Sequence, residues 1–214
     1  MSNCSRSGDV IEPLLRPQWY VNCQDLKKPM REFVEKKELK IIPEMFEFEW
    51  FSWIDNLKDW CISRQLWWGH RVPAYLVTIK EKGITPDLSD EHNWVAAHSY
   101  EEALEKAAKK YGVDKSKIEL RQDEDVLDTW FSSSLFPFSP FGWPDVENNK
   151  ELEAFYPGHV LETGHDILFF WVARMVMMGH LLLGKLPFKT VFLHNLVRDK
   201  DGEKMSKSKG NVID

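Results

Sequence analysis

Residues 158–197 read GHVLETGHDILFFWVARMVMMGHLLLGKLPFKTVFLHNLV, and their pattern decides the fold. The run GHVLET predicts a short strand, HDILFFWVARMVMMGH a helix, and KTVFLHNLV a second strand. A strand, helix, strand unit of this length implies parallel strands joined by a crossover, as in a doubly wound α/β sheet. Ligands of such sheets bind outside the carboxyl ends of the strands. Those ends fall at Thr163 to Asp166 and from His194 onward, so both strands deliver polar residues to one place.

The second strand runs out into HNLVRDKDGEKMSKSKGN, residues 194–211. Asp201-Gly202 predicts a turn and Gly210 frees the chain again, so the segment between them can close over a ligand and reopen. Lys204 and Lys207 stand three apart with Ser206 and Ser208 beside them. A closed loop of this kind can present two ammonium groups and two hydroxyls to one polyanion. Nucleotidyl transfer calls for that arrangement, because charge grows on phosphate oxygens in the transition state and mobile cations can meet it there. The P-loop pattern G-x-x-x-x-G-K-[ST] occurs nowhere in the chain.

Composition limits what the rest can be. The chain has 214 residues, 43% of them hydrophobic, with 10 Trp and 13 Phe, enough for one substantial core or two modest ones. With 34 acidic against 28 basic residues, the formal net charge is -6, so any nucleic-acid contact has to be local. Cys4, Cys23 and Cys61 are too far apart for a C-x-x-C pair, which excludes a zinc knuckle or a thioredoxin-type redox pair and fits a reducing compartment. The start MSNCSRSGDVIEP has no long apolar run and does not read as a leader, so a cytoplasmic location is expected. The stretch from Asp166 to Gly184 is apolar but carries Arg174 and His180, and it is read as a buried helix, with no membrane partner.

Upstream, LLRPQWYVNC reads as extended, DLKKPMREFVEKKE as a helix interrupted early by Pro29, and LKIIP as a short buried strand. In EMFEFEWFSWIDNLK the aromatics Phe46, Trp50 and Trp53, with Leu57, fall on one helical face and are expected in the core. CISRQLWWGHRVPAYLVTI predicts two strands separated by Trp68, Gly69 and His70. SYEEALEKAAKKYG is a surface helix: Ser99 and Glu102 form a capping box, Leu104, Ala107, Ala108 and Tyr111 make the apolar face, and Gly112 stops it.

The loop KMSKS, approached through a strand ending in His194, resembles the second signature of class I aminoacyl-tRNA synthetases. GDVIEPLLRPQWYV, DNLKDWCISRQLWWGHRVPAY, DEDVLDTWFSSSLFPFS, ETGHDILFFWVARM and KMSKSKGNVID together resemble the valyl-tRNA synthetase family over nearly the whole chain. Isoleucyl relatives read LDVWFDSG and a GSDQ-like stretch where this chain has LDTWFSSS and TGHDI, which leaves isoleucine specificity as a lesser alternative. The resemblance implies an α/β fold, the second half of a Rossmann-like nucleotide-binding domain with connecting insertions. Its expected divisions are 1–60, a junction returning to the catalytic domain, 61–125, connective strands and a helical insertion, and 126–214, the sheet ending in the lysine loop.

The resemblance also implies roles. Lys204 and Lys207 of the loop Lys204, Met205, Ser206, Lys207 and Ser208 would be catalytic. Gly164 and Asp166 would meet the ribose of ATP, His194 the adenine, and Lys207 the phosphates. Trp68 and Trp130 would wall a valine pocket that excludes isoleucine by volume and rejects threonine poorly, so that accuracy needs an editing site elsewhere. Substrates would be valine, ATP as its Mg2+ complex, and tRNA(Val). No structural zinc is expected, because AYLVTIKEKG carries no cysteine.

Such enzymes hold the ATP phosphates with an H-x-G-H signature. Gly-His occurs here at 69–70, 158–159, 164–165 and 179–180, but the residues two before each glycine are Trp67, Tyr156, Glu162 and Met177. A missing N-terminal catalytic half, an editing domain and anticodon-binding helices are therefore expected in a longer parent protein, and the 214 residues alone are expected to be inactive. A non-catalytic synthetase-like fragment that binds tRNA, nucleotide or a partner protein is the alternative.

Overall fold

The computed structural model describes residues 2–4, 7–12, 14–84, 87–207 and 209–213. In chain order its main elements are α1 (Lys27–Glu35), β1 (Lys40–Ile42), α2 (Glu47–Asp55), β2 (Ala74–Thr78), β3 (Trp94–Ala96), α3 (Tyr100–Tyr111), β4 (Glu119–Gln122), α4 (Thr129–Ser134), α5 (Lys150–Phe155), β5 (Gly158–Gly164), α6 (Arg174–Leu183) and β6 (Phe188–His194). They form two units: Met1–Tyr20 with Cys61–Leu127, and Val21–Trp60 with Asp128–Asp214. The chain thus divides at 20/21, 60/61 and 127/128, where sequence reading places divisions at 60/61 and 125/126. Residues 21–60 fold with the C-terminal third because β1 is a strand of its sheet.

That sheet is parallel throughout, in the order β5-β6-β1. Val160 pairs with Thr190 and Gly164 with His194, so β5 and β6 end level; on the other side Val191 pairs with Ile41. Val191, Leu193 and Ile41 are buried, whereas Phe192 and Ile42 are 45% and 41% exposed. The crossover runs through a 3-10 turn (His165–Ile167), a π-helical turn (Leu168–Ala173) and α6, which Gly184 ends in the left-handed region at φ 64. By length and composition His165–Leu183 could cross a membrane; here half of its most apolar window is buried in the protein.

Two local expectations are corrected. Pro29 does not interrupt α1, because it is the third residue of that helix, where a backbone N–H has no intrahelical acceptor to lose. Trp53 does not join Phe46, Trp50 and Leu57 in the core; it is 48% exposed and stacks on Phe169 at 4.3 Å. Trp50 is buried and donates its indole N–H to the Met30 carbonyl at 3.2 Å, which ties α2 to α1.

In the other unit β3-β2-β4 form an antiparallel sheet, with Leu76 opposite both Trp94 and Arg121. Helix α3 begins as its capping pattern requires, with Ser99 Oγ accepting from the Glu102 amide at 3.2 Å. The reciprocal arm reaches one residue further back, where Glu102 accepts from the His98 amide at 2.8 Å. Ala107 is buried with Val77, Ile79, Val95 and Ile118, and Leu104, Ala108 and Tyr111 pack around them.

Candidate active site

The level ends of β5 and β6 place Gly164, Asp166 and His194 together. Gly164 opens the 3-10 turn, and a Cβ there would lie 2.7 Å from Asp166 Oδ1 and 3.0 Å from Leu196 Cδ2. Glycine is what allows the Asp166 carboxylate to fold back over the strand end. Lys204 reaches this carboxylate, with Nζ 2.6 Å from Asp166 Oδ2. The ring of His194 faces two oxygens: Nε2 lies 2.9 Å from Glu162 Oε1, and Nδ1 2.9 Å from the Asn195 carbonyl.

The lysine loop is held by residues that sequence reasoning missed. Asp199 Oδ1 accepts from the amides of Asp201 (3.0 Å) and Glu203 (2.8 Å), and its Oδ2 accepts from the Asn211 side chain at 2.6 Å. The Asn211 side chain, followed by backbone donors, holds the Asp199 carboxyl below its ordinary range. Asn211 Oδ1 accepts from the Ser206 amide at 2.9 Å, so one asparagine closes the loop on both sides. The signal available in sequence was an aspartate two residues before Asp-Gly, a pattern in which the side chain bonds the backbone ahead of it. Gly202 and Gly210 both take positive φ, 77 and 67. Met205 and Ser206 are half-buried and Lys207 is exposed; Ser208 lies outside the described residues. Of the two candidate lysines, Lys204 is the one drawn onto a carboxylate.

Trp130 stands on α4 and stacks on Phe170 of the π-helical turn, with centroids 5.9 Å apart. Phe169 lies next to it, edge-on to Phe170 and stacked on Trp53. Trp171 ties this turn to α4 by donating to the Ser133 carbonyl at 3.1 Å. Beneath lies Asp128, buried, whose Oδ2 accepts from Trp60 Nε1 and from the Arg174 guanidinium, each at 3.2 Å. Trp68 belongs to the other unit and is 73% exposed there. Its neighbour Gly69 has φ 136 and would meet Val126 at 3.2 Å if it carried a Cβ, so the WWG turn sits close against that residue.

A cavity of about 590 Å³ is lined by Asn149, Leu152, Tyr156, Leu182 and Lys185, among others. Tyr156 precedes β5 and Lys185 precedes β6, so it opens at the amino ends of these strands and gathers none of the expected site residues. Among the described residues no group of three His, Cys, Asp or Glu is placed to hold a metal ion.

A sequence profile described as tRNA synthetases class I (I, L, M and V) matches residues 4–214. The chain belongs to this family. It is similar to the valine–tRNA ligase of Mus musculus, with 59% identity covering 99% of this chain and 17% of that protein. The mitochondrial valine–tRNA ligase of Saccharomyces cerevisiae is 57% identical, over 99% of this chain and 19% of its own length. The chain therefore spans a fifth or less of the curated relatives named here. Among solved structures, Mycobacterium tuberculosis methionyl-tRNA synthetase bound by methionyl-adenylate superposes with a TM-score of 0.60 at 18% identity, over 99% of this chain and 32% of that one. At that identity the likeness concerns the fold, and the parallel α/β sheet of this class I synthetase chain agrees with it.

Proposed function

We propose that these residues form the second half of the catalytic site of a valine–tRNA ligase, which joins valine to the AMP moiety of ATP with release of pyrophosphate and passes the valyl group to the terminal ribose of tRNA(Val). The observation that carries the proposal is the Lys204–Asp166 contact, which brings the KMSKS-like loop onto the carboxylate at the shared end of two parallel strands. Identity of 56–59% to valine–tRNA ligases of several animals supports the amino acid.

On this reading the ribose hydroxyls of ATP donate to Asp166 and displace Lys204 from it. A surface pair of this kind, 58% and 29% exposed, is worth about 0–1 kcal/mol, so a bound nucleotide can break it. His194 lies against the adenine. Gly202 and Gly210 let the loop swing so that Lys204 and Lys207 meet the phosphates. A carboxylate oxygen of valine then attacks the α-phosphorus, the bond to the bridging oxygen breaks, and pyrophosphate leaves carrying the charge that the two ammonium groups stabilise. Mg2+ would arrive with ATP. Trp130 would bound the valine side chain, over Phe170.

The phosphate-holding H-x-G-H group is not in these 214 residues, so the proposed reaction requires it from elsewhere in a longer protein. The test is valine-dependent ATP–pyrophosphate exchange by the full-length protein that carries this segment. Exchange with valine, and little with isoleucine, is expected, and none from the 214 residues alone. Exchange driven equally by isoleucine would remove the assignment, and clear exchange by the pure short chain would remove the need for a second half.

A further inference from the structure

We infer that Arg174 is a positioning residue for the amino-acid pocket, holding Trp130 and Phe170 in register from beneath. The inference rests on the reading of Trp130 as a pocket wall. In sequence Arg174 is merely the charge that interrupts an apolar run. In the structure it is buried, with 7% exposure, and so is its partner Asp128, with 5%. Taking two charges out of water is costly, and hydrocarbon of similar volume often holds a core as well as a buried ion pair does. A buried pair of this kind is therefore better explained by the geometry that it imposes than by stability.

That geometry reaches both halves of the wall. Asp128 is the residue before α4, and Trp130 is the second residue of that helix, so fixing the carboxylate fixes where the indole starts. Arg174 donates to Asp128 Oδ2 at 3.2 Å, and Trp60 Nε1 donates to the same oxygen. The flat guanidinium lies 4.2 Å over the Trp60 ring, and 5.6 and 5.5 Å from the Phe169 and Phe170 rings. Phe170 is the ring on which Trp130 stacks. One planar cation thus touches the start of the helix that carries Trp130 and the ring that Trp130 leans on. It also comes directly after the π-helical turn Leu168–Ala173, a wide turn of a kind that recurs where a helix serves a site. Lysine would keep the charge and lose the flat stacking and the forked donors.

The test uses the full-length protein carrying this segment, with Arg174→Lys and the charge-free pair Asp128→Asn with Arg174→Met. Steady-state pyrophosphate exchange and the 19F spectrum of 5-fluorotryptophan at Trp130 are read for each. For Arg174→Lys the KM for valine is expected to rise about tenfold or more while kcat and the KM for ATP stay within about twofold, and the Trp130 resonance is expected to shift or broaden. The charge-free pair is expected to fold and to leave the valine KM raised. An unmoved Trp130 resonance in Arg174→Lys overturns the inference. So does a return of the valine KM to the wild-type value in the charge-free pair, or an equal rise in the constants for valine and ATP. A moved resonance in a protein whose wild type shows no valine exchange would keep the positioning role and overturn the valine reading alone.

Discussion

Gly164→Ala tests the site at its tightest point. The new Cβ would start 2.7 Å from Asp166 Oδ1 and 3.0 Å from Leu196 Cδ2, where ordinary contacts begin several tenths of an ångström further out. Gly164 has φ -66 and ψ 140, a conformation that alanine adopts freely, so the substitution carries no backbone strain. The atom in the way is the end of a side chain that is 29% exposed, so Asp166 can rotate aside at little cost to the fold. What goes with it is the Lys204 pair, worth about 0–1 kcal/mol, and stability should fall by no more than roughly that amount. A ribose hydroxyl bonded to a carboxylate is a stronger matter, about 1.5–3 kcal/mol, or roughly a 10- to 150-fold rise in the KM for ATP. Pyrophosphate exchange with ATP varied at saturating valine measures the second quantity in the full-length protein, and thermal denaturation measures the first. An ATP KM within twofold of wild type, together with a stability loss above about 2 kcal/mol, would make Gly164 a packing residue and refute its role at the ribose.

Three further outcomes are expected. Lys207→Ala should slow adenylate formation about a hundredfold, the loss of one transition-state cation at about 3 kcal/mol, with little change in valine binding by equilibrium dialysis; unchanged turnover removes Lys207 from the mechanism. Gly179→Ala should destabilise the protein by about 1–2 kcal/mol in urea, because the Cβ would lie 2.6 Å from Tyr156 Oη and 3.1 Å from the Lys185 carbonyl; this overpacking outweighs a helix-propensity gain of about 1 kcal/mol, and a neutral result counts against the packing described. Burial raises the Cys23 thiol above 9.0 and the Tyr156 hydroxyl above 10.0, so both stabilise the neutral-pH fold fully below those values and lose that contribution as pH rises through the raised ones. The denaturation midpoint should therefore hold to about pH 8.5 and fall above pH 9, and Tyr156→Phe should flatten the part above pH 10; an unchanged slope in that variant excludes Tyr156.

Local pattern carried much of this protein. The parallel strands β5 and β6 with their crossover, the cap and stop of α3, and a glycine-flanked lysine loop at a strand end are all features of short segments. Their causes, the strand and helix periods and the φ freedom of glycine, act within a few residues, so sequence alone determined them. The partners inside the site were decided elsewhere. Lys204 and Asp166 are 38 residues apart, Arg174 and Asp128 are 46, and Trp60 and Asp128 are 68. β1 joins β6 from 150 positions upstream, pairing Lys40 with Thr190, and so draws residues 21–60 into the C-terminal unit. Trp53 has the spacing of a core residue and lies at the surface beside Phe169, because its side of α2 meets the π-helical turn and not the sheet. Contacts between segments this far apart depend on which faces pack and in what register. That choice is made by burial summed over the whole unit, and no single stretch of sequence contains it.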